Sequence, residues 1–133
     1  MSDAFIAFVR HENSVLLMQR GDNVAEFPGA WDGVYGIGDP ADLDAVMKRV
    51  EESTGIPTSS LIHVRSGMAR GVEFGNRLND ITPILFLTDS NEVEARTLYQ
   101  NMEWVDPGEV EKKEYSISQL SELYGDVAAY LYI

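Results

Sequence analysis

The run from Gly36 to Ile56, GIGDPADLDAVMKRVEESTGI, constrains this chain more than any other stretch, and it reads as a loop feeding one helix. Asp39 suits the N-cap, Pro40 the first helical position and Asp42 the third. Gly55 stands where a left-handed residue ends a helix, Ile56 folds back on the last turn near Val50, and Pro57 forbids continuation. Leu43, Val46, Met47, Val50 and Thr54 recur at i, i+3, i+4, i+7 and i+11, the spacing of one buried stripe. Asp44, Lys48, Arg49, Glu51, Glu52 and Ser53 fall on the opposite, polar side. The spacing predicts a helix over 40–54 that packs its stripe on a sheet. Taken alone, its polar side is an ordinary solvated face.

The flanking segments supply that sheet. Residues 4–10 and 14–20 are strand-like runs joined by His11-Glu12-Asn13, a predicted hairpin with His11 in the surface turn. Residues 21–31 form a loop, and 32–37 a short strand. Residues 61–69 alternate, with His63 expected on the exposed face. Glu73-Phe74-Gly75-Asn76 reads as a turn or mobile loop. The most apolar run, ITPILFLT at 81–88, is expected to be a central strand, with a bulge or edge contact at Pro83. A polar loop over 89–96 precedes a strand at 98–104. Asp106-Pro107-Gly108-Glu109 repeats the cap grammar of a helix start. Ile117, Leu120, Leu123, Tyr124 and Val127 have helical spacing, while 127–133 reads equally as helix or strand. Strands on both sides of a helix, with a C-terminal helix, make an α+β sandwich in a single domain spanning 1–133.

Several function classes are excluded by composition and motif. The formal net charge is −12 and the 22 acidic residues are spread along the chain, so the basic footprint of a nucleic-acid polymer or anionic-membrane binder is missing. Three lysines accompany seven arginines, a balance shared by salt-adapted and ordinary acidic proteins. There is no cysteine, hence no disulfide, thiolate metal site or Cys nucleophile. With no signal peptide or membrane span in view, a cytoplasmic setting is expected. There is no P-loop, and Gly36-Ile37-Gly38 lacks the third glycine of a dinucleotide fingerprint.

The order of residues in KRVEESTGI resembles the end of the Nudix box, the diphosphate-hydrolase signature GX5EX7REUXEEXGU, where U is a bulky aliphatic. Lys48 falls on the box Arg, Val50 and Ile56 on the aliphatics, Glu52 on the first Glu of the pair and Gly55 on the Gly. Upstream, SVLLMQRGDNVAEFPGAWDGVYG at 14–36 is similar to the family's strand, QR, PGxW and glycine-loop run. Downstream, NMEWV at 101–105 is similar to its late strand. The resemblance covers most of the chain and implies the Nudix α/β/α sandwich, a mixed sheet between the box helix and a C-terminal helix. It also implies hydrolysis of nucleoside-diphosphate-linked compounds with Mg²⁺ or Mn²⁺.

The departures are equally specific. The box residue after Lys48 is Arg49 instead of Glu, the second Glu of the pair is Ser53, and Gly36 stands two residues too close to Lys48. Asp42 stands near where the upstream Glu belongs. Positions 49, 52 and 53 share one helix face, so the change takes that face from a charge of about −3 to about 0, which weakens the case for a hard cation. Glu52 and Glu51 remain as ligands for one weak metal, or none is held. The isomerase branch of the family, which needs a Cys and a His near the glycine loop, is excluded because Val34–Gly38 supplies neither.

Two classes of function stay open. In one, a Nudix hydrolase works weakly through Glu52 and Glu51, with Glu73 or Glu114 as a general base from outside the box. In the other, catalysis is lost and the protein is a non-catalytic binding or interaction module for a small nucleotide or other diphosphate compound. Arg49 then replaces the metal as a phosphate clamp, with Lys48, Gly36, Arg20 and Arg70 as further ligand contacts. A second copy of the chain, as a homodimer, is retained as a partner.

Overall fold

The computed structural model describes residues 3–74 and 77–128, excepting the side chains of residues 74 and 77. Among these, eight strands form one mixed sheet: β1 (Asp3–His11), β2 (Ser14–Arg20), β3 (Trp31–Asp32), β4 (Val34–Ile37), β5 (Leu61–Ser66), β6 (Arg70–Phe74), β7 (Arg77–Thr88) and β8 (Tyr99–Val105). Two helices, α1 (Leu43–Thr54) and α2 (Leu120–Ala128), cover its faces. β1 and β7 run parallel at the centre, from Asp3 against Asp80 to Arg10 against Leu87. The far side of β1 is shared by β2 at one end and β4 at the other, both antiparallel. β3 and β8 extend the sheet beyond β2, and β5 and β6 extend it beyond β7.

Alternation in β1 explains why two helices are needed. Ala4, Ile6 and Phe8 point to one face and Phe5, Ala7 and Val9 to the other, and all six are buried. On the first face Phe8 meets Tyr124 edge-on at 5.2 Å, with Leu120, Leu123 and Val127 of α2 around it. On the second, Val46 and Val50 of α1 pack with Ile56, Ile84 and Phe86. The result is the α/β/α sandwich expected from the sequence. α2 is also tied to β6, where Asp126 receives Nε and one terminal nitrogen of Arg70 at 2.5 and 2.8 Å.

Local differences from the sequence expectation have identifiable causes. α1 starts at Leu43 with Asp42 as its N-cap, accepting from Ala45 N at 3.1 Å, three residues later than the Asp39 start. Asp39 instead accepts from Ala41 N at 2.9 Å, closing a separate turn. Gly55 ends the helix in the left-handed region, its N–H bonded to Glu51 O, as expected. The expected strand at 32–37 is divided at Gly33 into β3 and β4. Glu73 and Phe74 belong to β6, which pairs antiparallel with β7, instead of to the predicted turn; 75 and 76 lie outside the described residues. Pro83 sits inside β7. Its carbonyl accepts from Gly67 N, so its missing N–H faces the 67–69 break between β5 and β6, where no ladder bond is required. The cap grammar at 106–109 yields one 3-10 turn, with Asp106 accepting from Gly108 N, instead of a long helix. Helix α2 includes Val127, and 129–133 lie outside the described residues.

Candidate functional site

The polar side of α1 faces a cleft of about 520 Å³. The segment before the helix forms the other wall, including Tyr35, Gly36, Ile37, Gly38 and Asp39, and α1 contributes Ala45, Arg49 and Glu52. Gly36 is required by packing: a Cβ there would stand 2.3 Å from the Phe5 ring, which lies against it. Asp42, the helix cap, lines the same cleft.

Arg49 reaches across this space, where its Nε donates to the Tyr35 carbonyl at 3.4 Å. Its side chain makes no other hydrogen bond to the described residues, so its terminal nitrogens keep donors for a ligand. The carbonyl is available because of the register of β4. Tyr35 stands opposite Ile6 on β1, and its N–H donates to the Tyr99 hydroxyl at 2.8 Å. The N–H and C=O of one strand residue point to the same side, here away from β1. Side chains of β8 and α1 thus satisfy Tyr35 in place of another strand.

Behind Tyr99 lies a buried charge pair. Arg20 Nε donates to Asp32 Oδ2 at 2.9 Å, Arg20 Nη1 to the Glu26 carbonyl at 3.1 Å, and the guanidinium stands 5.2 Å from the centre of the Tyr35 ring. Burial pushes the Asp32 carboxyl up to about 6, against the pull of the Arg20 charge and its hydrogen bond. Burial, helped by the Asp32 charge, also holds the Tyr99 hydroxyl protonated well beyond its usual range.

Ser53 is not on the solvated face where the helical pattern puts it. It is fully buried, and its hydroxyl shares a hydrogen bond with Thr97 at 3.2 Å. The cause is the segment before β8, which lies over the end of α1. Glu94 N and Arg96 N donate to the Thr54 and Ser53 carbonyls at 2.9 and 3.0 Å, capping the last turn.

The sequence-selected residues therefore separate into groups. Gly36, Arg49 and Glu52 line the one cleft, with Asp39 and Asp42. Glu51 is half-buried and Lys48 exposed, and neither lines it. Arg20 is turned inward onto Asp32, and Arg70 onto Asp126. Glu73 lines a separate depression with Phe27 and Tyr115, and Glu114 another with Trp31 and Lys113. Sequence reasoning missed Tyr35, Tyr99 and Asp32, whose association depends on pairing between distant strands.

Among the described residues no three His, Asp or Glu side chains cluster to hold a metal ion. The box face does not fit the divalent cation implied by the resemblance: a guanidinium stands at 49, and the 53 hydroxyl faces the interior.

No protein-family model matches the chain, and no curated protein matches it. Solved structures do. An Ap4A hydrolase from C. elegans superposes with TM-score 0.74 at 16% identity, over 99% of this chain and 98% of that one. The Nudix domain of NrtR from Shewanella oneidensis, complexed with ADP-ribose, gives 0.75 at 14%, over 97% and 87%. A bifunctional NMN adenylyltransferase/ADP-ribose pyrophosphatase from Francisella tularensis, complexed with AMP and a Mn ion, gives 0.73 at 14%, over 98% and 41%. The protein has the Nudix fold. The cleft lies beside α1, the helix whose sequence resembles the end of the Nudix box.

Proposed function

We propose that this protein binds a small diphosphate-containing compound in the cleft beside α1 through Arg49, and that hydrolysis by its box helix is weak or lost. The carrying observation is the anchored guanidinium: Nε is fixed on Tyr35 O while the terminal nitrogens keep donors for phosphate oxygens. ADP-ribose and Ap4A, associated with two of the structural neighbours, are the compounds to try first. The setting consistent with a cysteine-free chain is the cytoplasm.

A second reading, residual metal-dependent hydrolysis, is favoured by Asp39, Asp42 and Glu52 in the same cleft. These carboxylates repel a bare anion and suit one that arrives with Mg²⁺ or Mn²⁺ already on its phosphates.

Calorimetric titration with ADP-ribose, ADP and pyrophosphate, in EDTA and in Mn²⁺, separates the two. Binding in EDTA that Arg49→Glu abolishes supports the clamp. Binding only in Mn²⁺, with release of AMP from ADP-ribose, supports the hydrolase. No binding under either condition removes both.

A further inference from the structure

The geometry points to Tyr99 as a positioning residue for Arg49, acting through the Tyr35 peptide. Arg49 Nε has one described hydrogen-bond partner, the Tyr35 carbonyl. The Tyr35 N–H is in turn held by the Tyr99 hydroxyl at 2.8 Å. Tyr99 is nearly fully buried, so this hydroxyl has little access to water. It accepts from Tyr35, and the fully buried Asp32 carboxylate, through its charge, helps burial keep the hydroxyl protonated. Arg20 fixes that carboxylate from the other side and is itself bonded to the Glu26 carbonyl.

The chain of contacts crosses three elements: it starts at β8 with Tyr99, passes through β4 at the Tyr35 peptide and ends on α1 at Arg49. β4 is paired to β1 among the described strands, so the Tyr35 peptide depends on side chains for its outer bonds. A phenol is well suited to this place because its oxygen accepts from the peptide while its ring fills the buried space around it. Phenylalanine would keep the ring and leave the Tyr35 N–H facing an apolar edge. The peptide would rotate or drift, and Arg49 would lose its fixed acceptor. An arginine held in one rotamer loses less freedom on gripping a phosphate than a mobile one.

The inference deepens the ligand-binding reading of the cleft, but its first readout needs no ligand. The Nε–H proton of Arg49, assigned by its loss in Arg49→Lys, is followed by NMR exchange with water. We expect slow exchange in the native protein and exchange at least about tenfold faster in Tyr99→Phe, with the dispersion of the remaining amide spectrum preserved. Equal rates would overturn the positioning role. The mirror measurement uses a substitution on the half-buried helix face and covers the case in which Tyr99→Phe does not fold. In Arg49→Lys the Tyr35 amide should exchange several-fold faster than in the native protein, and an unchanged rate would equally overturn the inference. The second readout is a double-mutant cycle on ADP-ribose affinity. Tyr99→Phe should weaken binding roughly fivefold in the native background and not at all in Arg49→Ala. Equal losses in both backgrounds would assign Tyr99 a purely structural role. If the native protein binds no diphosphate while the exchange results hold, the ligand reading falls and the positioning stands.

Discussion

The hydroxyl of Ser53 shares a 3.2 Å hydrogen bond with that of Thr97, closing the α1 face at the point where the sequence resemblance would put the last carboxylate of a Nudix box. Ser53 itself is fully buried, and the 94–97 segment donates two backbone hydrogen bonds to the helix end beside it. Substitution at 53 therefore acts on the fold before it acts on chemistry.

Ser53→Glu is expected to destabilise the protein by roughly 3 kcal/mol or more, because a carboxylate would be confined without a partner or would force the 94–97 segment off the helix. Arg49→Glu, on the half-buried cleft wall, is expected to stay within about 1 kcal/mol of the native protein. Urea unfolding of the two variants tests this, and equal midpoints would show that the Ser53 site is open to solvent.

Val50→Ala removes two methyl groups from the fully buried stripe of α1 against the sheet. The cavity and lost burial should cost roughly 1–3 kcal/mol. A loss under about 0.5 kcal/mol by urea denaturation would place the stripe away from the core.

The helix stripe was legible because buried positions repeat at i, i+3 and i+4, and the sheet centre because 81–88 is almost continuously apolar. The resemblance at 14–36, 48–56 and 101–105 correctly led to the Nudix fold. Ser53 was misread because serine carries no sign of burial: what covers it is a segment 44 residues later. The start of α1 was misplaced because two aspartates three residues apart both cap, and local sequence does not say which one the helix follows. Tyr99, Tyr35 and Asp32 could not be grouped without the strand register that brings them together.

The Asp32 shift gives stability a pH dependence with a definite sign. The carboxyl titrates near 3.8 when unfolded and at about 6 when folded, raised chiefly by burial. The folded state thus binds this proton more tightly, so the contribution is complete below about 3.8 and is lost as pH rises through about 6. Native protein should lose stability relative to Asp32→Asn between roughly pH 4 and 6.5. A difference in urea midpoint that stays flat over that interval would rule out the shift.

Arg70 and Asp126 fasten α2 to β6 with a bidentate pair that is 39% and 29% exposed at the two side chains. Water screens such a pair, so Arg70→Ala should lower stability only slightly. The hydrogen bond from Arg70 holds the Asp126 carboxyl below its usual range. Its contribution is therefore present above about pH 4 and lost as pH falls through the lowered value, opposite in sign to Asp32. Proteolysis and thermal melting at pH 7 should show α2 loosened in Arg70→Ala while ADP-ribose affinity is unchanged. A loss of affinity would return Arg70 to the ligand contacts.

Metal affinity follows from the charges around the cleft. Asp39, Asp42 and Glu52 face it with Arg49 among them, a formal sum of about −2. Two of the carboxylates already accept backbone N–H groups at turns, which lowers their value as ligands. The native protein is therefore expected to bind Mn²⁺ no more tightly than about millimolar. Arg49→Glu would take the sum to about −4 and place a carboxylate one helical turn before Glu52, the spacing at which two side chains meet. Mn²⁺ affinity in that variant should rise at least about tenfold, and adding Glu52→Gln should reverse the gain. Electron paramagnetic resonance titration of free Mn²⁺ measures these proteins and the single Glu52→Gln variant directly. Micromolar binding by the native protein, lost in Glu52→Gln alone, would show that the cation tolerates Arg49 and would move the function back toward hydrolysis.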